Sequence, residues 1–159
     1  MAEQAVTAAE LRACRLLVEQ PEAVLHELAA AATRRFLADR EVLVTRGERC
    51  TQLAWVVGGR LALSVPHEGR SVLVMTLGPG DLLGWSLLRE EPTVLASAHA
   101  VGPTELIELP AERLFAALTA GTPAAGVLLR RLIGIAAADL EATRAQLLRL
   151  GHEGPISAG

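Results

Sequence analysis

The chain has 159 residues, 51% of them apolar, and a formal net charge of −3. That is enough apolar material for one cored domain plus an appendage, and the acidic balance excludes the broad basic field that nucleic acid or an anionic membrane surface would need. Aromatic residues make up 3% and Tyr is absent, which excludes a stacking platform for single-stranded nucleic acid.

Glu3 and Glu10 fall where a signal peptide would carry its apolar region. No later run approaches the roughly 18 apolar residues of a membrane span. Cys14 and Cys50 therefore read as reduced thiols of a cytoplasmic protein. Residues 4–33 carry helical spacing, in Leu11, Cys14, Leu17 and Val18 and again in Val24, Leu25, Leu28 and Ala32. Gln20-Pro21-Glu22 breaks the pattern, and Pro21 is suited to open a second helix.

From Arg35 the period changes. Phe36, Val42 and Val44 sit in short β-leaning segments split by Ala38-Asp39-Arg40, and Arg46-Gly47-Glu48 is a turn. Leu53 to Val57 reads as a strand, Gly58-Gly59 as a hairpin turn and Arg60 to Val65 as the returning strand. Pro66 to Arg70 reads as another turn and Ser71 to Leu77 as a third strand. In the stretch Leu77 to Ala100, Gly78-Pro79-Gly80-Asp81 is a turn. Gly84 then precedes about one helical turn at Trp85 to Arg89, and Pro92 ends it. Free N–H groups at such a helix start suit an anion; the same residues also read as a tight corner between strands. Glu105 to Leu109 alternates as an exposed strand. These segments predict an α+β fold: an eight-stranded antiparallel β-roll of the jelly-roll or cupin-like double-stranded β-helix type, flanked by N-terminal helices and a long C-terminal helix. The expected boundaries are helices over 1–34, the roll over 35–109, helices over 110–150 and a flexible tail over 151–159.

Pro110 opens a helix that Gly121-Thr122-Pro123 interrupts, and a long helix runs from Pro123 to Leu150. Leu129, Ile133, Ala136, Leu140, Thr143, Leu147 and Leu150 recur at alternating spacings of 4 and 3, a heptad seam. Leu128, Leu132 and Ile135 form a second stripe that can face the roll. Two stripes predict one face on the chain's own domain and one on a partner; the alternative is a helix buried wholly against its own roll.

Catalytic and metal chemistry find no support. His26, His67, His99 and His152 contain no His-x-His pair, so the ligand set of a metal cupin is missing. No Gly-x-Ser-x-Gly, Cys–His arrangement or Walker loop occurs. Ser86 reads as a cap or a ligand hydroxyl, and the adjacent Glu90 and Glu91 point apart. The expectation is a protein that is not an enzyme and holds no metal.

Pro79-Gly80-Asp81, then Gly84, a short helix, Pro92 and a strand resemble the phosphate-binding cassette of the cyclic nucleotide-binding domain. That domain is the sensor half of Crp/Fnr regulators and of the regulatory subunits of cyclic-nucleotide-dependent kinases. The order of elements matches from about Leu16 to Leu118. The resemblance implies a ligand set of Gly84, Trp85, Ser86, Leu87, Thr93, Val94 and Leu95 and cyclic AMP or cyclic GMP as the possible ligand; Arg89, Arg70 and Arg60 are the candidate anion partners that could compensate for a missing cassette charge. The resemblance also implies that the C-terminal helix makes a homodimer. The chain departs from the family where charge matters. Trp85 stands where the cassette has Glu, and Val94 and Leu95 stand where it has Arg and a hydroxyl residue. Losing that Arg removes a charge-assisted hydrogen bond of about 1.5–3 kcal/mol. Trp85 either fills the pocket or stacks on a different ligand. The expected function is a regulatory sensor of a cyclic nucleotide or another anionic metabolite, signalling through its dimer helix. The second reading is a protein-interaction module with a vestigial pocket and a larger protein partner. The sequence ends where Crp-like regulators continue into a helix-turn-helix, so nucleic acid is not an expected partner, and the acidic net charge makes a membrane an unexpected one too.

Overall fold

A computed structural model describes residues 5–152. The first helix, α1 (Ala8–Arg12), starts from a capping box: Glu10 N donates to Thr7 Oγ1 at 3.3 Å and Thr7 N donates to Glu10 Oε2 at 2.8 Å. It ends after five residues, well short of the helix that the spacing predicts. Leu16 and Leu17 are both fully buried, and neighbouring residues on a helix point about 100° apart. Bonds from Cys14 N to Leu11 O (3.0 Å), Leu17 N to Cys14 O (2.9 Å) and Gln20 N to Leu17 O (3.0 Å) wind the segment into tight turns instead. Both leucines then reach the core while Val18 stays exposed. Pro21 caps α2 (Glu22–Ala31), as read from the sequence.

Eight strands follow: β1 (Thr33–Leu37), β2 (Val42–Val44), β3 (Gln52–Gly58), β4 (Leu61–His67), β5 (Arg70–Leu77), β6 (Leu82–Leu83), β7 (Ser97–Ala100) and β8 (Thr104–Pro110). They form two antiparallel sheets, ordered β1-β8-β3-β6 and β2-β7-β4-β5, the β-roll that the sequence predicts. Between the sheets lie Leu37, Leu43, Val56, Leu61, Leu77, Ala98, Ala100 and Leu106. On the outer face of the first sheet, Leu53, Trp55, Ile107 and Leu109 pack on Leu11, Leu25 and Leu28 from the N-terminal segment and on Leu128, Leu132 and Ile135.

Two strand readings change. The turn expected at Pro66 to Arg70 shrinks to Glu68-Gly69, with φ of +49° and +75°, and the ladder continues to the His67–Arg70 pair. Two central residues with positive φ match the strand twist of a two-residue hairpin. The strand read as exposed, β8, is instead central in its sheet, with Leu106, Ile107 and Leu109 at most 1% exposed. Its two glutamates explain the misreading. Glu105 pairs with Arg34 on one face, and Glu108 lies 3.6 Å from Arg35 on the other. Each charge is answered by a neighbour on β1. The exposed strand is β5, at a sheet edge, where Val72, Leu73, Val74 and Met75 are each over 40% exposed.

After α3 (Ala111–Leu118), α4 runs from Pro123 to His152. Leu128, Leu132 and Ile135 are buried, whereas Leu129, Ile133, Leu140 and Leu147 are exposed. The helix is therefore not buried wholly against its own roll. Ala136 is half-buried, and Thr143 is exposed with its hydroxyl donating to Asp139 O at 2.9 Å. The Leu150 side chain and residues 153–159 of the expected tail lie outside the described residues. Arg131 fastens α4 to the N-terminal turns, donating to Arg15 O and to Glu19 Oε2, each at 2.8 Å. No helix among the described residues is long and apolar enough to cross a membrane.

Arg34 also pairs with Glu10, so one guanidinium, 7% exposed, joins α1 to β1 and β8. The backbone N–H of Thr7 and the Arg34 guanidinium hold the Glu10 carboxyl below the usual carboxylate range. A depressed carboxyl contributes stability that is full above its unfolded pKa and is lost as pH falls through the folded one. Replacing Arg34 with Met strands two carboxylates and is expected to cost about 2 kcal/mol in urea unfolding at neutral pH. The loss should shrink as pH falls below the carboxylate range; an equal loss at acid and neutral pH would contradict this pairing.

Candidate functional site

The site is built where β3 and β6 meet the segment after them. Gly80 N donates to Val56 O at 2.8 Å and Val56 N to Asp81 O at 3.1 Å, which pins the Gly78–Asp81 turn to β3. Asp81 Oδ2 accepts from Gly78 N at 2.9 Å and closes the turn on itself. Gly84 has φ of +124°, and a Cβ there would stand 2.8 Å from Gln52 O and 3.2 Å from Leu53 Cα. No side chain fits between β3 and the start of the short 3-10 helix Trp85–Leu88. Downstream, Cys50 N donates to Pro92 O (2.6 Å), Val94 N to Glu48 O (2.8 Å) and Gly47 N to Val94 O (2.9 Å). This lacing holds Pro92 to Val94 against residues 47–50.

The result is a cavity of about 450 Å³ at the mouth of the roll. Gly84, Trp85, Ser86, Val94 and Leu95 line it, with aliphatic walls from Leu43, Leu63 and Leu83. Trp85 does not fill it. Leu87 is buried among the helix-side core residues, and Thr93 lies on a neighbouring groove. Arg70 lines that neighbouring groove too, while Arg60 and Arg89 are exposed at the β3–β4 turn and beyond the short helix. None of these three arginines lines the roll cavity.

Its charged lining comes from residues that no cassette spacing flags: Arg35, Glu48, Arg49 and Glu108. Arg35 and Glu108 reach it because alternate residues of β1 and β8 face the roll interior. The alternation was visible in the sequence; the placing of β8 at the sheet centre was not. Burial pushes the Glu108 carboxyl up, and Arg35 partly offsets that. Cys50 also lines the cavity, its thiol raised by burial. Burial pushes the Cys14 thiol in the helix-side core up to about 11, which leaves it unreactive at neutral pH.

A second hollow of about 620 Å³ separates the roll from α4. Trp85 lines it as well, opposite Ala136, Leu140 and Thr143. Across this hollow Arg15 lies 3.4 Å from Asp139 on α4 and 4.0 Å from Asp81 in the cassette turn. One indole is thus a shared wall of the roll cavity and the hollow under the helix.

A family model described as cyclic nucleotide-binding domain matches residues 34–120, more than half of the chain. No curated protein matches by sequence. Among solved structures, a cyclic nucleotide-binding domain from Methylobacillus flagellatus KT superposes with a TM-score of 0.78 at 15% identity, covering 98% of this chain and 91% of that one. The Thermus thermophilus catabolite activator protein superposes with a TM-score of 0.69 at 26% identity, covering 86% of this chain and 63% of that one. The regulatory domain of Toxoplasma gondii PKA, crystallised with cAMP, gives a TM-score of 0.62 at 25% identity over 69% of this chain and 42% of that one.

Gly84→Ala is expected to destabilise the chain by about 2–3 kcal/mol, since it combines a strained φ with a clash on backbone atoms. Gly80→Ala has positive φ but open space, and should cost about 1 kcal/mol. Equal costs in urea unfolding would contradict the close approach at Gly84.

Proposed function

Because the chain belongs to the cyclic nucleotide-binding domain family, we propose that it is a cytoplasmic, non-enzymatic regulatory sensor whose ligand enters the roll cavity and whose α4 helix reports it. The observation that carries this reading is the position of Trp85, which lines both the cavity and the hollow beneath α4. A ligand pressing on the indole from one side changes what Leu140 and Thr143 meet on the other. The reporting surface is the exposed stripe of α4, whose Leu140 also borders that hollow. Leu129, Ile133, Leu140 and Leu147 keep heptad spacing on an exposed face, and a second copy of the chain supplies the matching seam.

The electrostatics argue against a cyclic nucleotide as the preferred ligand. Arg35 and Arg49 are balanced by Glu48 and Glu108 in the lining, and Val94 and Leu95 offer no partner to a phosphodiester charge. An uncompensated charge in a largely apolar cavity is costly. The expected result is little or no rise in melting temperature with millimolar cyclic AMP or cyclic GMP. A rise of several degrees that saturates in the micromolar range would overturn this assignment of ligand.

Sedimentation tests the helix. The chain is expected to be a dimer, and Leu140→Glu should leave it monomeric with an unchanged fold; a wild-type chain that is monomeric at high concentration would remove the dimer. The exposed apolar edge strand β5 favours a second reading, a protein-interaction module. A stable dimer whose cavity is empty in native mass spectrometry of freshly purified protein would favour that reading over the sensor.

A further inference from the structure

The two arginines in the roll cavity share its lining with two carboxylates, whereas the groove on the other side of the same segment is lined by arginines alone among charged residues. An open groove of about 820 Å³ lies outside the roll, between the turn after β2, the start of β7 and the β4–β5 hairpin. Val94 and Leu95 line both this groove and the roll cavity, and so form the partition between them. The groove's charged lining is Arg46 and Arg70, with hydroxyls from Thr45, Ser64, Ser71, Thr93 and Ser97, and no carboxylate.

No carboxylate lines the groove on a chain with 18 acidic and 15 basic residues, and the Glu48 carboxylate beside it is taken up by the turn, accepting from Thr45 N at 3.0 Å. Among the described residues neither guanidinium has an ion-pair partner. Arg34, Arg35 and Arg131 by contrast are all committed to glutamates. The groove is also held in shape. Arg46 N donates to Ser97 Oγ at 3.0 Å, Gly47 N donates to Val94 O at 2.9 Å, and Pro66 pairs with Ser71 in the hairpin. Two unpaired guanidinium groups among hydroxyls offer the charge and the donors that phosphate oxygens take.

We propose that this outer groove is an anion site for a phosphate-bearing molecule, held by Arg46 and Arg70 and separated from the roll cavity by Val94 and Leu95. An anion seated there draws the β4–β5 hairpin and the turn after β2 together over the partition. The site is distinct from the roll cavity, so it stands or falls apart from the sensor reading of that cavity.

Titration calorimetry of the full chain with inorganic pyrophosphate and with ATP, at low and at physiological salt, tests it. One pyrophosphate per chain is expected to bind, more weakly as salt rises. Arg46→Gln and Arg70→Gln should each weaken binding by about tenfold or more, while Arg60→Gln, an arginine outside the groove, should leave it unchanged. Both groove arginines are exposed and unpaired, so unchanged melting of the unliganded variants verifies the fold. ATP binding clearly tighter than pyrophosphate identifies a nucleotide; equal affinities identify the phosphate chain alone as the recognised group. No binding of either probe, or the same loss in the Arg60 variant as in the groove variants, would overturn the site.

Discussion

Two consecutive arginines on β1 hold the structure's first sheet together from both sides. Side chains of neighbouring strand residues point to opposite faces, so Arg34 meets Glu105 and Glu10 on the helix side and Arg35 meets Glu108 inside the roll. Without them, β8 would carry two bare carboxylates through the centre of a sheet. With them, β8 can sit between β1 and β3 and supply Leu106 to one core and Ile107 and Leu109 to the other. The same pairing puts a charged couple at the mouth of the roll, where the cavity's balance of charge is decided.

The functional elements inherit their positions from this frame. The cassette turn is tied to β3, the segment after the short helix is tied to residues 47–50, and α4 is clamped through Arg131 and Arg15. The roll cavity, the hollow beneath α4 and the outer groove therefore share thin walls: Trp85 stands between the first two, and Val94 and Leu95 between the first and the third. A single layer of side chains is all that parts each of these spaces from its neighbour.

Much of this was legible in the sequence. Glycine turns, short β-leaning runs and the paired stripes of α4 are local patterns, and they predicted the roll and the two faces of the terminal helix. The early end of α1, the burial of β8 and the lining of the cavity by Arg35 and Glu108 were not legible, because each depends on a partner distant in sequence. A strand reading Glu-Leu-Ile-Glu-Leu looks solvent-facing until an Arg-Arg pair some 70 residues earlier is known to lie beside it. Likewise the cassette's frame could be read from its glycines and proline, whereas the direction of each arginine could not.

The crowding at Gly84 has a consequence for how such a domain changes its task. The backbone corner that carries the site is closed to variation, since any side chain at Gly84 would meet β3. Of the groups that face the cavity from that corner, Val94 is tied in through its main chain, which donates to Glu48 O and accepts from Gly47 N, and Leu95 stands more than half exposed beside it. Chemistry is thus displayed from a corner whose backbone course is set by Gly84 and the bonds to residues 47–50. A ligand can be exchanged for another by altering a few side chains, with no strand lengthened and no turn redrawn.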